Sequence, residues 1–165
     1  MTKKYVIPAT TRIWHVHLKV SNIQRALDFY CGILWFELIT TYWVDAAFIS
    51  AGWYHHHIGL NTRESKDAPP PPRHSTGLFH VAILYPTRKD LAEITKRLVD
   101  AGIKIGASNH GVSEAIYLED PDGNGIELYR DKPRDQRPKK PDWSIDMFTE
   151  RLDMQSLLWE IKELL

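Results

Sequence analysis

The chain has 165 residues, 43% of them hydrophobic and 25% charged, and its basic and acidic side chains cancel to a formal charge of zero. This composition is typical of a globular protein, and a neutral chain has no overall field that would recruit nucleic acid or an anionic membrane. Cys31 is the single cysteine, which excludes an internal disulfide and disfavours a cysteine-based zinc site. We find neither a secretory signal nor the roughly 18 apolar residues of a membrane span. We therefore expect a cytoplasmic protein with no nucleic-acid or membrane partner.

The first half of the chain is predicted to form a strand, a helix and three more strands. Residues 13–20 alternate in polarity and are rich in β-branched and aromatic side chains, which predicts a strand. Ser21, followed by Gln24 three positions later, has the pattern of a capping box at the start of a helix. The three further strands are predicted at residues 36–42, 45–51 and 53–62.

The same order of elements is predicted again after a break at residues 63–76. Four consecutive prolines lie in this break, and proline can continue neither a helix nor a sheet ladder. A strand is predicted at residues 77–85, followed by a helix that Thr87 caps with Asp90 in its first turn and that ends at Gly102. The three short strands that follow are predicted near residues 104–106, 115–119 and 126–129.

This repetition predicts an α+β fold of two βαβββ modules that pair around a groove. The modules span residues 12–62 and 77–132, and the proline-rich linker spans residues 63–76. Residues 133–165 are predicted to form a basic, solvated linker and an amphipathic helix. We expect that helix to pack on its own domain, with a dimer contact as the alternative. Its apolar stripe consists of Met154, Leu157, Leu158, Ile161, Leu164 and Leu165.

Three side chains at related positions suggest a metal site. His15 and His80 each precede a valine at the start of a module, so module symmetry would let them face each other across the groove. Glu127 follows a glycine-containing turn at residues 120–125 that returns the chain towards His80. Two histidines and a carboxylate on one side of an ion leave other positions open, which suits Fe(II), with Mn(II) as the alternative.

Residues 12–132 resemble the vicinal oxygen chelate superfamily, which includes glyoxalase I, fosfomycin and bleomycin resistance proteins and extradiol dioxygenases. The resemblance lies in the stretches HVHLKVSNIQRALDFYCGILWFEL and FHVAILYP and, more specifically, in YLEDPDGNGIELYRD. It implies paired βαβββ modules with His15, His80 and Glu127 as the metal ligands. It also implies that the two modules pair either within one chain or between two chains, and we expect a homodimer.

The segment WYHHHIGLNT distinguishes among the members of this superfamily. Alternation along the predicted strand puts His55, His57 and Gly59 on one face. Aligning HIGLN with GIELY puts Gly59 at the position of Glu127 in the second half. Members of the glyoxalase type carry a fourth ligand there, which glycine cannot supply. The resemblance is therefore closest to the catechol 2,3-dioxygenase-like members, whose metal has three protein ligands.

That resemblance implies roles for four further side chains. His57 would be the general base and acid that moves a proton during the reaction, and His55 would be a neighbouring substrate-binding residue. Tyr117, ten residues before Glu127, and His110 would bind the substrate and stabilise its developing negative charge. The implied reaction is extradiol cleavage of a catechol-type aromatic ring by O2 at Fe(II).

Two other functions remain open from the sequence. One is a metal-dependent isomerase or transferase of the glyoxalase or fosfomycin-resistance type, which Gly59 disfavours because it removes the fourth ligand. The other is a metal-free binding protein of the bleomycin-resistance type, which would be expected to lack metal donors at positions 15, 80 and 127. The metal content of the purified protein distinguishes all three.

Overall fold

The computed structural model describes residues 5–72 and 74–162, and each half of the chain forms its own sheet. The first half contains helix α1, Ile23–Leu27, which continues as a π-helical segment, Asp28–Ile33. Its strands are β1 Val16–Lys19, β2 Glu37–Tyr42, β3 Ala46–Ser50 and β4 Ile58–Asn61. They lie in the order β1-β4-β3-β2, with β1 parallel to β4 and the other neighbours antiparallel.

The second half repeats this arrangement and adds one strand. Its helix is α2, Arg88–Asp100. Its strands are β5 Val81–Leu84, β6 Gly106–Asn109, β7 Ser113–Glu119, β8 Gly125–Asp131 and β9 Glu150–Arg151. They lie in the order β5-β8-β7-β6-β9, with β5 parallel to β8. The predicted α+β class and the repeated strand-helix-strand plan are confirmed.

Matching registers relate the two sheets position by position. In the first sheet Val16 pairs with Ile58, and in the second sheet Val81 pairs with Ile126. The residues that precede the two valines are therefore equivalent, as are the residues that follow the two isoleucines. These equivalences match His15 with His80 and Gly59 with Glu127.

The structure corrects the predicted start of the first helix and confirms that of the second. The Thr87 hydroxyl and the Asp90 carboxylate form a reciprocal capping box on α2. The cap of α1 is Asn22, not Ser21, because Asn22 has an extended backbone and its Oδ1 accepts the Arg25 amide at 3.0 Å. Gln24 does not reach back to the cap, since its side chain donates to Asp28 instead.

The histidine-containing strand is shorter than predicted. Pairing begins where the His57 amide donates to the Ile49 carbonyl at 2.9 Å, and β4 itself begins at Ile58. Residues 51–55 form a bend, and His55 and His56 lie in irregular chain. Strand alternation therefore does not determine where those two side chains point, and the prediction of a strand over residues 53–62 is wrong at its start. The strand predicted at residues 104–106 likewise lies further along, at residues 106–109.

The C-terminal segment contains regular structure besides the predicted amphipathic helix. It contains a 3-10 turn, Arg134–Gln136, and the strand β9, which pairs with β6. Helix α3, Met154–Trp159, then packs against α2 with Leu157 fully buried. Leu164 and Leu165 of the predicted apolar stripe lie outside the described residues. Within residues 5–72 and 74–162, no helix is long and apolar enough to cross a membrane.

Polar contacts join the two halves at the turn between β7 and β8. The buried Tyr30 hydroxyl donates to Asp120 Oδ2 at 3.0 Å, and burial followed by the charge of Asp120 raises the pKa of Tyr30 well above its usual value. The Arg25 guanidinium lies 2.6 Å from Asp122 Oδ1. Gly125 is required here because a Cβ at that position would lie 2.1 Å from the Phe79 carbonyl oxygen. The turn thus fixes the start of β8, on which Glu127 stands.

Candidate active site

His80 and Glu127 form a close pair on the second sheet. Glu127 lies in β8 opposite Ala82 of β5, on the face opposite the buried neighbours Ile126 and Leu128. His80 directly precedes β5, and its Nε2 is 3.0 Å from Glu127 Oε2. Two ligand atoms about 2.1 Å from one ion and at right angles to it are about 3.0 Å apart. The pair therefore has the spacing of two neighbouring ligands, and it also permits a direct hydrogen bond.

A hydrogen-bonded chain continues from Glu127 to His110. Tyr117 pairs with Glu127 across β7 and β8, and its hydroxyl donates to Oε1 of Glu127 at 2.8 Å. His110 Nε2 lies 2.7 Å from the same hydroxyl oxygen. Burial, followed by the hydrogen bond to Glu127, raises the pKa of Tyr117 to about 12. Tyr117 thus stays neutral near pH 7 and keeps a proton to donate.

His15 lies apart from this pair. It precedes β1 as His80 precedes β5, its side chain is exposed, and its ring is 4.7 Å from the ring of His56. In the part of the chain that the structure describes, no three His, Cys, Asp or Glu side chains are grouped closely enough to hold a metal ion. One chain therefore brings together two of the three predicted ligands.

His57 is held by the end of β3. Its Nδ1 accepts the Ala51 amide at 3.3 Å and lies 2.9 Å from the Ser50 hydroxyl. Because Nδ1 is an acceptor, a neutral His57 carries its proton on Nε2. His57 and His15 line a groove of about 310 Å³ between β1 and β5. His55 is exposed, with its Nδ1 2.7 Å from Nδ1 of His56.

Comparison with known proteins identifies the family. The Glyoxalase/Bleomycin resistance protein/Dioxygenase superfamily matches residues 12–128. The chain belongs to this superfamily. It is 38% identical over 151 residues to a catechol-2,3-dioxygenase of Bacillus subtilis, a match that covers 91% of this chain and 52% of that protein. It is 31% identical over 124 residues to biphenyl-2,3-diol 1,2-dioxygenase 2 of Rhodococcus globerulus, covering 74% of this chain and 64% of that protein. The chain thus spans about half to two thirds of the length of these relatives.

Solved structures of the superfamily share the fold. A glyoxalase/dioxygenase from Nostoc punctiforme superposes with a TM-score of 0.64 at 19% identity, covering 81% of this chain and all of that one. At this identity the likeness concerns the fold alone. It supports the α+β fold of the chain.

Two histidines that the sequence did not single out lie on the same side of the first module as His15. A side chain at Gly59 would meet the His17 ring, since a Cβ there would be 2.9 Å from His17 Cδ2. The His56 ring lies between those of His15 and Phe48, at 4.7 and 4.9 Å. Burial, followed by the neighbouring His15, lowers the pKa of both His17 and His56. Alternation along residues 13–20 already places His15 and His17 on one face, whereas the position of His56 depends on the bend before β4.

The donors that are present suit a divalent metal in this superfamily. An imidazole and a carboxylate at 3.0 Å supply one nitrogen and one oxygen. Glu127 is held from its other oxygen by Tyr117, as metal-bound carboxylates generally are held by hydrogen bonds. Gly59 occupies the position equivalent to Glu127 in the first module, so that module offers no carboxylate there.

Proposed function

We propose that the protein is an Fe(II)-dependent extradiol dioxygenase that cleaves a catechol-type aromatic ring with O2. The observation that carries this proposal is the connected set of His80, Glu127, Tyr117 and His110, which combines two metal donors with two hydrogen-bonding groups beside them. The identity of 38% to a catechol-2,3-dioxygenase supports the same reaction class. Because the chain covers 52% of that relative, activity and substrate are proposals for this chain.

His15, His80 and Glu127 would hold the metal, with Mn(II) as the alternative to Fe(II). Fe(II) with three protein ligands keeps open positions and supplies a centre at which a catechol and O2 meet. The protein contributes by holding His80 directly before β5 and Glu127 on the neighbouring strand β8. It also excludes a fourth ligand at position 59, where glycine lies beneath the His17 ring.

The remaining side chains would bind the diol and move its protons. Tyr117 keeps its proton near neutral pH and would donate it to a substrate oxygen by turning its hydroxyl away from Glu127, while His110 holds the tyrosine oxygen. His57, which carries its proton on Nε2 when neutral, would donate that proton to the bound substrate and take one back later in the reaction, since histidine is well suited to both roles near pH 7. His55, exposed in the bend before β4, would contact the substrate at the edge of the site.

We further propose a homodimer in which His15 of one copy joins His80 and Glu127 of the other. Apolar side chains beside both histidines support it, because Ile13 is 98% and Phe79 is 89% exposed. Trp43 and Trp53 are also exposed on the first half. Contiguous exposed apolar surface commonly marks a protein interface. A second copy would cover this surface and complete a three-ligand site.

The test is anaerobic loading with Fe(II), followed by addition of substituted catechols in air. The proposal predicts O2 consumption and a yellow ring-fission product with at least one catechol, and neither with zinc-loaded protein. Turnover of methylglyoxal and glutathione with nickel or zinc would overturn it in favour of an isomerase. Purified protein that retains no metal after exposure to Fe(II) would overturn it in favour of a binding protein.

A further inference from the structure

We infer that Thr149 is a positioning residue that donates a hydrogen bond to Nδ1 of His110 and holds the imidazole ring against the Tyr117 hydroxyl. Thr149 lies in the C-terminal segment, beyond the residues 12–128 that the superfamily matches. The inference rests on the proposed function in one respect, namely that His110 and Tyr117 face the substrate. The contact itself is independent of the reaction.

A continuous line of short contacts leads from Thr149 to the metal pair. The Thr149 hydroxyl oxygen is 3.1 Å from Nδ1 of His110. Nε2 of His110 is 2.7 Å from the Tyr117 hydroxyl oxygen, and that hydroxyl is 2.8 Å from Glu127. Both ring nitrogens of His110 therefore have a protein partner.

The acceptor at the end of this line determines the direction of every hydrogen bond. An ionised carboxylate can only accept, so the Tyr117 proton is donated to Glu127. The Tyr117 oxygen must then accept from Nε2–H of His110. A neutral His110 consequently has a bare Nδ1, and the Thr149 hydroxyl donates to it. In the opposite tautomer the lone pair of Nε2 would face the Tyr117 oxygen, whose proton is already donated to Glu127.

The backbone holds Thr149 in register with His110. In β9, Glu150 pairs with Asn109, and the Phe148 amide donates to the His110 carbonyl at 3.4 Å. The fit on this side is close, because a Cβ at Gly111 would lie 2.8 Å from the Phe148 ring. The segment is thus anchored on both sides of Thr149.

The C-terminal helix gives this segment a second anchor. Leu152 and Leu157 are buried in the core that both halves share. Arg88 of α2 bonds the Ser156 carbonyl at 3.0 Å and Glu160 at 2.8 Å. The C-terminal segment is therefore fixed on both sides of Thr149, and it places the Thr149 hydroxyl beside Nδ1, the His110 nitrogen that does not contact Tyr117.

The test compares Thr149→Val, which keeps the shape and removes the hydroxyl, with Thr149→Ser, which keeps the hydroxyl. Proton–nitrogen correlation spectra of the full ¹⁵N-labelled chain report which nitrogen of His110 is protonated. We expect the Nε2–H form in all three proteins, because Tyr117 and Glu127 impose it. The Nδ1 resonance should shift downfield in Thr149→Val and not in Thr149→Ser, since only valine removes the hydrogen bond to that nitrogen. Thr40→Val, an exposed threonine on β2, is the matched control and should leave the spectrum unchanged.

Catechol turnover gives the second measurement. With the proposed activity, kcat of Thr149→Val should fall about tenfold, since loss of an outer-shell partner typically costs 10- to 100-fold, and Thr149→Ser should restore it. An Nδ1–H tautomer in the wild type, or an unchanged His110 spectrum in Thr149→Val, would overturn the positioning role. The expected spectral change in a protein that turns over no catechol would support the positioning contact and overturn the proposed function instead.

Discussion

The His17 ring lies over Gly59 and fills the space that a side chain at position 59 would need. The two residues are paired across β1 and β4, just as Ala82 and Glu127 are paired across β5 and β8. Each half therefore pairs a large residue with a small one. The large residue is on the first strand of the first half, β1, but on the last strand of the repeated plan in the second half, β8. Only the second half presents a carboxylate at this position, so the metal site that we propose has three protein ligands rather than four.

We predict that Gly59→Ala destabilises the protein by about 1–3 kcal/mol, the usual cost of overpacking a filled site. The added Cβ would approach the His17 ring to 2.9 Å. Urea unfolding measures the loss. The double variant His17→Ala/Gly59→Ala should recover part of it, and Gly32→Ala should change little because nothing lies within 4 Å of its Cβ position. Equal effects of Gly59→Ala with and without His17 would show that the ring is not the obstacle.

Glu127→Gln and His80→Ala should each lower iron affinity by more than about 100-fold, because loss of even an outer-shell partner typically costs 10- to 100-fold. Each substitution removes one member of the pair whose ligand atoms are 3.0 Å apart. Metal analysis after dialysis measures the bound iron. Glu119→Gln, at an exposed position on β7, is the control and should retain the metal. Iron bound at full stoichiometry in both site variants would place the metal elsewhere.

Co-expression of two inactive variants tests whether the site spans two copies. In a symmetric dimer, His15→Ala and His80→Ala subunits that mix at random should regain about a quarter of the wild-type activity, since half of the dimers contain one intact site of two. His80→Ala mixed with Glu127→Ala should regain none, because both changes lie in the same half. Activity that is absent from the first mixture, with dimers present by native mass spectrometry, would show that one chain supplies all three ligands.

His57→Ala should lower turnover about 100-fold or more while iron stays bound, since general acid–base catalysis contributes 10²- to 10⁴-fold. His57 is held through Nδ1 by Ala51 and Ser50, which leaves Nε2 to exchange a proton with substrate. Turnover and metal content are measured on the same sample. Loss of iron together with activity would show that His57 is a ligand rather than a proton carrier.

Glu114→Gln should cost about 3 kcal/mol of stability at pH 7, because it breaks a buried ion-pair network. Arg88 and Arg130 each donate to Glu114 at 2.9 Å. Burial alone would raise the pKa of Glu114, but the hydrogen bonds from the two arginines lower it below its usual value of 4.5. A lowered folded-state pKa stabilises the protein above about pH 4.5, and this stabilisation is lost as the pH falls through the folded-state value.

Unfolding free energies from pH 7 to pH 3 check this prediction. The wild type and Glu114→Gln should differ at pH 7 and converge in acid, while Glu93→Gln, at an exposed position on α2, should follow the wild type throughout. A difference that stays constant down to pH 3 would mean that the charge of Glu114 does not contribute.

The sequence was sufficient to predict the duplicated plan because each module repeats a local signal. The histidine–valine pair recurs at the start of both modules, and the registers of Val16 and Val81 confirm that these positions are equivalent. Thr87 and Asp90 lie close together in the chain, so the cap by Thr87 could also be predicted from the sequence. His80, Tyr117 and Glu127 come close together because β8 pairs with both β5 and β7, and the predicted duplicated plan already contains these three strands.

Other features depend on contacts between distant parts of the chain and could not be predicted. The hydrogen bond between the His57 amide and the Ile49 carbonyl determines where strand pairing begins before β4. His55 and His56 precede this point, so the alternation of side chains along a strand could not predict where they point. β9 has two residues and no period to detect, and it forms because the C-terminal segment docks beside β6. The contact between Thr149 and His110 depends on the same docking, so the sequence did not predict it.

The most direct test of the proposed dioxygenase activity is whether both atoms of O2 enter the product. Fe(II)-loaded protein should be mixed with a catechol that it consumes under ¹⁸O2, and the product analysed by mass spectrometry. Ring cleavage by a dioxygenase predicts that both labelled atoms appear in one ring-fission product, with one O2 consumed per catechol. Consumption of the catechol without incorporation of label into a ring-opened product would contradict the account.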